Sequence, residues 1–155
     1  MSKIKIYAKN ILIPIAVGVV IGLITSNSMD LSTLQRPALT PPGVLFPIVW
    51  TILYTLMGIS TGILEVNKEF DGSTKSIYYA QLFVNALWSI IFFTLKLRLF
   101  AFIWVILLDV LVLLMIMNFY RKNKTAGLLQ IPYLVWVLFA TYLNLGIYLL
   151  NSYNS

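Results

Sequence analysis

The sequence predicts an all-α integral membrane protein, a bundle of five transmembrane helices. Of its 155 residues, 60% are apolar and only 10% are charged, against roughly 25% charged in an ordinary soluble domain. The mean hydropathy is +0.91, and apolar runs of about twenty residues recur along the chain. These runs are continuous, whereas the strands of a membrane β-barrel alternate apolar and polar residues. The bilayer is therefore the expected solvent.

Five segments are long enough to cross the membrane as helices, because about twenty residues span the roughly 30 Å of hydrocarbon. The predicted spans are 6–26, 44–64, 77–95, 99–120 and 127–150. They leave only termini and loops, so residues 1–155 form one membrane domain without a soluble part. Lys3, Lys5 and Lys9 precede the apolar stretch of the first span, as in a signal peptide, but this stretch is long and no A-x-A cleavage pattern follows. We expect it to be a retained helix.

Positive charges predict the orientation. The side of the N-terminus carries eight cations and the other side carries three. These are Lys3, Lys5, Lys9, Lys68, Lys75, Arg121, Lys122 and Lys124, against Arg36, Lys96 and Arg98. The positive-inside rule then predicts a cytoplasmic N-terminus in a bacterial cytoplasmic membrane. Lys96 and Arg98, in a tight loop, argue the other way.

The loops differ in length. The third and fourth are short, so the last three helices are expected to be antiparallel neighbours. The first, 27–43, is long and holds three prolines, which favours either a lid over a pocket or a passive connector. Thr40 is a potential cap for the second helix, with Pro41 in its first turn. Pro132 is predicted to kink the fifth helix.

Three helices carry stripes of aromatic, amide and small residues, each on one helix face. The stripes are Trp50, Tyr54 and Gly58; Gln81, Asn85, Trp88 and Phe92; and Tyr133, Trp136, Ala140 and Asn144. Amides in hydrocarbon need partners, so these should face inward. They fit an apolar pocket with a few polar contacts. Interhelical hydrogen bonds with an interfacial aromatic belt are the alternative.

Two further features have alternative interpretations. Asp109 is the only acidic residue well inside a predicted span. Carboxylates inside the membrane often relay protons or cations. Without an intramembrane cation a structural role is favoured, in which the carboxyl is either protonated or bonded to an amide or hydroxyl on a neighbouring helix. Gly18-x-x-x-Gly22 and Gly58-x-x-x-Gly62 permit close helix approach, either within one bundle or between two copies in a homodimer.

Composition excludes several function classes. Cysteine and histidine are absent, which removes thiolate and histidine catalysis and the commonest metal ligands. We therefore expect no metal site and no conventional catalytic site. The net charge of +6 reflects membrane orientation better than nucleic-acid binding.

The motifs together resemble one family over nearly the whole chain. They are RP at 36–37, PPG at 41–43, FPIVWTILYTLMG at 46–58, QLFVNALWSIIFF at 81–93, AGLLQIPY at 126–133 and WVLFATYLN at 136–144. The chain resembles the translocator protein family (TspO/MBR), also called tryptophan-rich sensory proteins or peripheral-type benzodiazepine receptors. A bacterial member is expected from the short charged termini.

This resemblance implies a five-helix bundle, usually dimeric, with a pocket under the first loop. Members bind porphyrins such as protoporphyrin IX, isoquinoline and benzodiazepine drugs and, in animals, cholesterol. The matching pocket residues are Trp50, Tyr54, Asn85, Trp88, Trp136 and Ala140, with Pro41 and Pro42 in the lid; the stripes add Gln81 and Asn144 as ligand-binding candidates. The animal cholesterol motif lacks its cation after Tyr148, which puts sterol binding in doubt.

Three functions remain open for the sequence. The first is a porphyrin receptor or sensor that requires no cofactor, because the porphyrin is itself the ligand. The second is light- and oxygen-dependent porphyrin degradation, which the resemblance implies for some bacterial members and for which Trp50 and Trp136 are the candidate catalytic indoles. The third is transport of tetrapyrroles or lipids, which the absence of an ionisable ladder disfavours.

Overall fold

The computed structural model describes residues 2–28 and 31–152, and within these ranges every regular element is helical. The helices are α1 Lys3–Thr25, α2 Leu45–Val66, α3 Gly72–Ser89, α4 Arg98–Lys122, α5 Lys124–Leu128 and α6 Ile131–Asn151. A 3-10 turn, Ser26–Ser28, extends α1, and a π-helical turn, Ile90–Thr94, extends α3. Five of the described segments are long and apolar enough to cross a membrane. The predicted fold class is confirmed.

The fifth span differs from its prediction. Pro132 does not kink the interior of a continuous helix, because the chain breaks into α5 and α6 at a turn just before it. Asn123 caps α5 by accepting the backbone N–H of Ala126 at 3.0 Å. Pro132 then occupies the first turn of α6, where a missing N–H leaves no helical bond unmade.

The start of α2 also differs from its prediction. The helix begins at Leu45 with Val44 at its N-cap position, so Thr40 and Pro41 precede it by a full turn. The Thr40 hydroxyl instead donates to the carbonyl oxygen of Pro37 at 2.7 Å. The prolines at 41 and 42 therefore belong to the connecting segment and not to the helix.

The connecting segment is fastened to α6 over its described part, residues 31–43; Met29 and Asp30 of the predicted lid lie outside the described residues. Asn151 accepts the backbone N–H of Gln35 at 3.0 Å and donates to its carbonyl at 2.8 Å. Tyr142 donates its hydroxyl to the carbonyl of Ala38 at 2.7 Å. These bonds hold the segment along the last turns of α6.

Helix α4 packs against both α3 and α6, while α1 packs chiefly against α2. The tightest crossing lies at Gly58, where a Cβ atom would collide with the backbone of Asn10 and Ile11; at Gly62 it would collide with the ring of Tyr7. The second glycine motif therefore serves packing inside the bundle. α1 is otherwise largely exposed, and Asn10, Pro14 and Thr25 are its buried residues.

Candidate functional site: an aromatic cavity

A cavity of about 360 Å³ lies between α1, α2, α3 and α6, within the range of small-molecule sites. Its wall is almost entirely apolar and aromatic. Its lining includes Gly18, Gly22, Phe46, Trp50, Tyr54, Trp88, Phe93, Trp136 and Ala140. The concave, apolar shape suits a flat hydrophobic ligand better than a polar metabolite.

On α1, two glycines face the cavity, Gly18 and Gly22. A Cβ atom on Gly18 would lie 2.5 Å from Cε2 of Tyr54, so the glycine lets the tyrosine ring lie against α1. One turn later, a Cβ atom on Gly22 would meet nothing within 4 Å. The two helices thus touch at Gly18 and leave open space at Gly22.

Four aromatic rings form a continuous wall. Trp50 stacks on Tyr54, with ring centroids 5.5 Å apart and an interplanar angle of 27°. Trp136 meets Trp50 edge to face at 6.4 Å and 87°, and Phe46 meets Trp136 at 5.7 Å and 63°. Such pairs add about 0.5–1.5 kcal/mol each beyond burial. The wall is therefore held in place before any ligand arrives.

A buried chain of hydrogen bonds orients Tyr54 from behind. Its hydroxyl donates to Oδ1 of Asn85 at 3.0 Å, and Nδ2 of Asn85 donates to the Tyr133 hydroxyl at 2.6 Å. Tyr133 in turn donates to Oε1 of Gln81 at 2.7 Å. Gln81, Asn85 and Tyr133 are each at most 2% exposed. These two amides join α3 to α2 and α6 and do not line the cavity.

Trp88 is oriented in the same way. Its indole Nε1 donates to Oδ1 of Asn144 at 2.9 Å, and Nδ2 of Asn144 donates to the carbonyl of Arg98 at 2.9 Å. The ring also stacks on Phe92, with centroids 5.3 Å apart. Asn144 therefore positions a cavity residue and connects three helices, since Arg98 is the first residue of α4.

Trp136, a residue of the cavity wall, has an indole N–H that forms no hydrogen bond. Its Nε1 is buried and has no hydrogen-bond partner. No other side chain that lines the cavity in the described part of the chain has a buried polar atom without a hydrogen-bond partner. A buried unpaired donor costs about 1–3 kcal/mol, so a ligand acceptor would recover free energy if the Trp136 ring turned this N–H, which protein atoms cover, toward the cavity.

The predicted site residues fall into three groups. The first group lines the cavity and consists of Trp50, Tyr54, Trp88, Trp136 and Ala140. The second group lies behind the wall and consists of Gln81, Asn85 and Asn144. The third group, Pro41 and Pro42, lies in the connecting segment and outside the lining. Their roles toward a ligand stay predictions.

Sequence reasoning missed the contribution of α1 and of Phe46. Phe46 lies four residues before Trp50 and extends its stripe, so spacing would have found it. The α1 residues carry no such signal, because that helix is apolar on all sides. The spacing of Gly18 and Gly22 predicts close helix approach, within one bundle or between two copies, and does not indicate that both line the cavity.

Asp109 lies apart from the cavity, to which α4 contributes no lining residue. Its Oδ2 accepts the hydroxyl of Thr141 at 2.7 Å, which joins α4 to α6. A bond to a hydroxyl on a neighbouring helix is one of the structural roles that the sequence predicts for Asp109. Within the described ranges, no three Asp or Glu side chains group as metal ligands.

Comparisons with known proteins agree with this architecture. The model of the TspO/MBR family matches residues 10–150. A tryptophan-rich protein TspO from Archaeoglobus fulgidus is 40% identical over 155 residues, covering 98% of this chain and 100% of the relative. A protein of the same name from Chlorobaculum tepidum is 39% identical, covering 77% and 78%. The human translocator protein is 32% identical, covering 72% and 68%.

Proposed function

The chain belongs to the TspO/MBR family and is an integral membrane protein, and from this premise we propose that it is a membrane receptor for porphyrins. Protoporphyrin IX is the reference ligand, and isoquinoline or benzodiazepine drugs are expected to compete for the same cavity. The observation that carries the proposal is the aromatic wall of Phe46, Trp50, Tyr54 and Trp136, in which the buried indole N–H of Trp136 has no hydrogen-bond partner.

A porphyrin suits this wall for two physical reasons. Its flat apolar ring would bury large area against the indoles, and each Å² of buried apolar area contributes about 25 cal/mol. Its carboxylates are acceptors for the N–H of Trp136. Stacking then supplies most of the affinity, and the bond to Trp136 sets the orientation of the ring.

A titration of the detergent-purified protein with protoporphyrin IX in the dark tests the proposal, with quenching of tryptophan fluorescence as the readout. Trp136→Phe keeps an aromatic ring but removes the donor, so we expect about tenfold weaker binding. Trp104→Phe is the matched control, because the Trp104 indole donates to the carbonyl of Val84 at 2.8 Å, outside the cavity. Equal affinity of both variants, or no saturable quenching, would overturn the proposal.

Porphyrin degradation is a second candidate, favoured by the edge-to-face contact of Trp50 and Trp136 in the wall. A bound porphyrin supplies the photochemistry itself, and two adjacent indoles can donate electrons to the oxidant it generates. Under light and oxygen, porphyrin absorbance should decay with the wild type and persist with Trp50→Phe or Trp136→Phe. Decay at the same rate in the dark contradicts this function.

The proposal includes a homodimer with a cytoplasmic N-terminus. Since the chain has no cysteine, single cysteines at Lys5 and Lys96 report sidedness with a membrane-impermeant maleimide on whole cells. We expect labelling of Lys96→Cys alone.

Saturable binding without protein-dependent porphyrin flux across liposomes separates a receptor from the alternative, a transporter.

A further inference from the structure

Three polar residues are buried behind the wall of the aromatic cavity, and we call them the polar layer. They are Tyr78 and Gln81 on α3 and Gln130, which immediately precedes α6. Their exposed fractions are 1%, 0% and 0%. All three belong to segments that are long and apolar enough to cross a membrane, and none of them lines the cavity. Protein atoms therefore enclose the polar layer inside the span.

The arrangement of α3 and α6 brings the three residues to neighbouring levels of the bundle. Both helices start at the same membrane face, because α4 crosses back between them. The Tyr133 hydroxyl on α6 donates to Oε1 of Gln81 on α3 at 2.7 Å. Tyr78 precedes Gln81 by three residues, and Gln130 precedes Tyr133 by three, so each lies on the face of its neighbour, about one turn earlier.

Four polar atoms of the layer have no hydrogen-bond partner within residues 2–28 and 31–152. They are the Tyr78 hydroxyl oxygen, Nε2 of Gln81, and both Nε2 and Oε1 of Gln130. Native proteins pair nearly all buried polar atoms, either with other protein atoms or with ordered water. Four unpaired atoms on three adjacent, fully buried side chains therefore indicate a bound molecule that pairs with them.

Local rearrangement of the side chains does not supply the missing partners. Since Oε1 of Gln81 already accepts the Tyr133 hydroxyl, exchanging the oxygen and nitrogen of this amide would leave the oxygen unpaired instead. Both amide atoms of Gln130 are unpaired, so the same exchange changes nothing there. The Tyr78 hydroxyl faces Thr61 on α2 but does not reach the distance and angle of a hydrogen bond.

The chemistry of the unpaired atoms favours water over an ion. Two amide nitrogens are donors, the Gln130 oxygen is an acceptor, and the Tyr78 hydroxyl can be either. A cation would meet mainly donors, and an anion would find no charged side chain in the layer to balance it. Water both donates and accepts, and a buried water makes about three hydrogen bonds. Two waters that bond to each other therefore leave four bonds for the protein, one for each unpaired atom.

We propose that the polar layer is a binding site for ordered water inside the membrane span. The waters accept from Nε2 of Gln81 and of Gln130, donate to Oε1 of Gln130, and bond to the Tyr78 hydroxyl. Because Gln81 is the last member of the hydrogen-bond chain that begins at Tyr54, the water extends this chain toward the face where α3 and α6 start. The proposal does not depend on what occupies the aromatic cavity.

Solid-state NMR of the protein in lipid bilayers tests this proposal. The chain has three glutamines, Gln35, Gln81 and Gln130, so labelling glutamine with nitrogen-15 gives three side-chain amide signals. The rate of magnetisation transfer from water protons to each signal is measured. Gln35 is exposed and provides the rate for a hydrated amide, and the backbone N–H of Gln81, inside α3, provides the rate for a dry one.

We expect the side chains of Gln81 and Gln130 to receive magnetisation nearly as fast as that of Gln35, although both are fully buried. Transfer as slow as that to the backbone N–H of Gln81 overturns the proposal. Tyr78→Phe removes one partner of the water and should slow the transfer to both glutamines. Tyr79→Phe is the matched control, because Tyr79 is a partly buried neighbour outside the layer. Equal effects of the two variants also overturn the proposal.

Gln130→Met keeps the length of the side chain but removes two of the four atoms, and the loss of one signal assigns Gln130 in the spectrum. Because the water loses partners, the fast transfer to Gln81 should be lost and the midpoint of thermal unfolding should fall. If the atoms of Gln130 had no partner at all, their removal would instead stabilise the protein. A higher midpoint in Gln130→Met therefore contradicts the presence of water in the layer.

Discussion

Two glycine pairs with the same spacing differ in their surroundings in this bundle. Gly58 and Gly62 on α2 press against α1, where added Cβ atoms would collide with the Ile11 backbone and the Tyr7 ring. Gly18 and Gly22 on α1 both line the aromatic cavity, but Gly18 lies against the Tyr54 ring, whereas the space beside Gly22 is empty. The same pattern therefore closes one end of the α1–α2 contact and opens the other.

This difference shows how the fold separates stability from binding. At Gly58, in the closed end, backbone atoms of α2 meet backbone atoms of α1, and such a contact has no flexible partner that can yield. At the open end, the missing side chains leave room that neighbouring helices do not fill. Substitutions at the two ends should consequently affect different measurements.

Gly58→Val should have the largest effect on stability. Its side chain must displace the α1 backbone, and overpacking of this kind costs about 3 kcal/mol. Gly22→Val is the matched control and should leave the free energy of unfolding nearly unchanged. Denaturant unfolding in mixed micelles measures both. Equal losses would mean that the two glycine pairs do not differ as their surroundings indicate.

The buried hydrogen-bond chain behind the cavity should rank second. Tyr133→Phe leaves Asn85 and Gln81 without their shared partner, and we expect a loss of about 2 kcal/mol in the free energy of unfolding. Tyr142→Phe removes one exposed bond to Ala38 and should cost below about 0.5 kcal/mol. Similar losses of unfolding free energy in the two variants would show that burial does not strengthen the hydrogen bonds of Tyr133.

Filling the open end should affect binding alone. Gly22→Leu places a side chain in the cavity, so protoporphyrin affinity should fall about tenfold, the effect of about 1.4 kcal/mol, without a loss of stability. Gly43→Leu is the control, because a Cβ atom there also meets nothing within 4 Å but lies outside the cavity lining. Unchanged affinity in Gly22→Leu would place the ligand elsewhere.

The sequence predicts the spans well because hydropathy sums over about twenty residues, and one misplaced residue changes little. It predicts the inward faces of α2, α3 and α6 because amides and aromatics mark them. It does not distinguish Trp50, which lines the cavity, from Asn85, which lies behind the wall. That distinction depends on which partner each side chain reaches, and spacing along one helix contains no such information.

Two other features lay beyond pattern reasoning. The break before Pro132 depends on the Asn123 cap that starts α5. Pro132 by itself predicts one kinked helix, whereas the structure has two helices separated by a turn. The role of α1 in the cavity was hidden because an apolar helix in lipid has no polar face to indicate its orientation. Only the tertiary contacts of Gly18 and Gly58 reveal which way it faces.

The smallest expected effect lies at the closed end itself. Lys9 and Glu65 form an ion pair of 2.9 Å, with side chains 44% and 26% exposed. Exposed pairs contribute about 0.2–1 kcal/mol and weaken with salt, so Lys9→Gln should cost about 0.5 kcal/mol at low salt and less at high salt. Lys5→Gln, exposed and outside this pair, controls for the lost charge. If Lys9→Gln cost as much as Gly58→Val, the ion pair and not the glycine contact would hold α1 against α2.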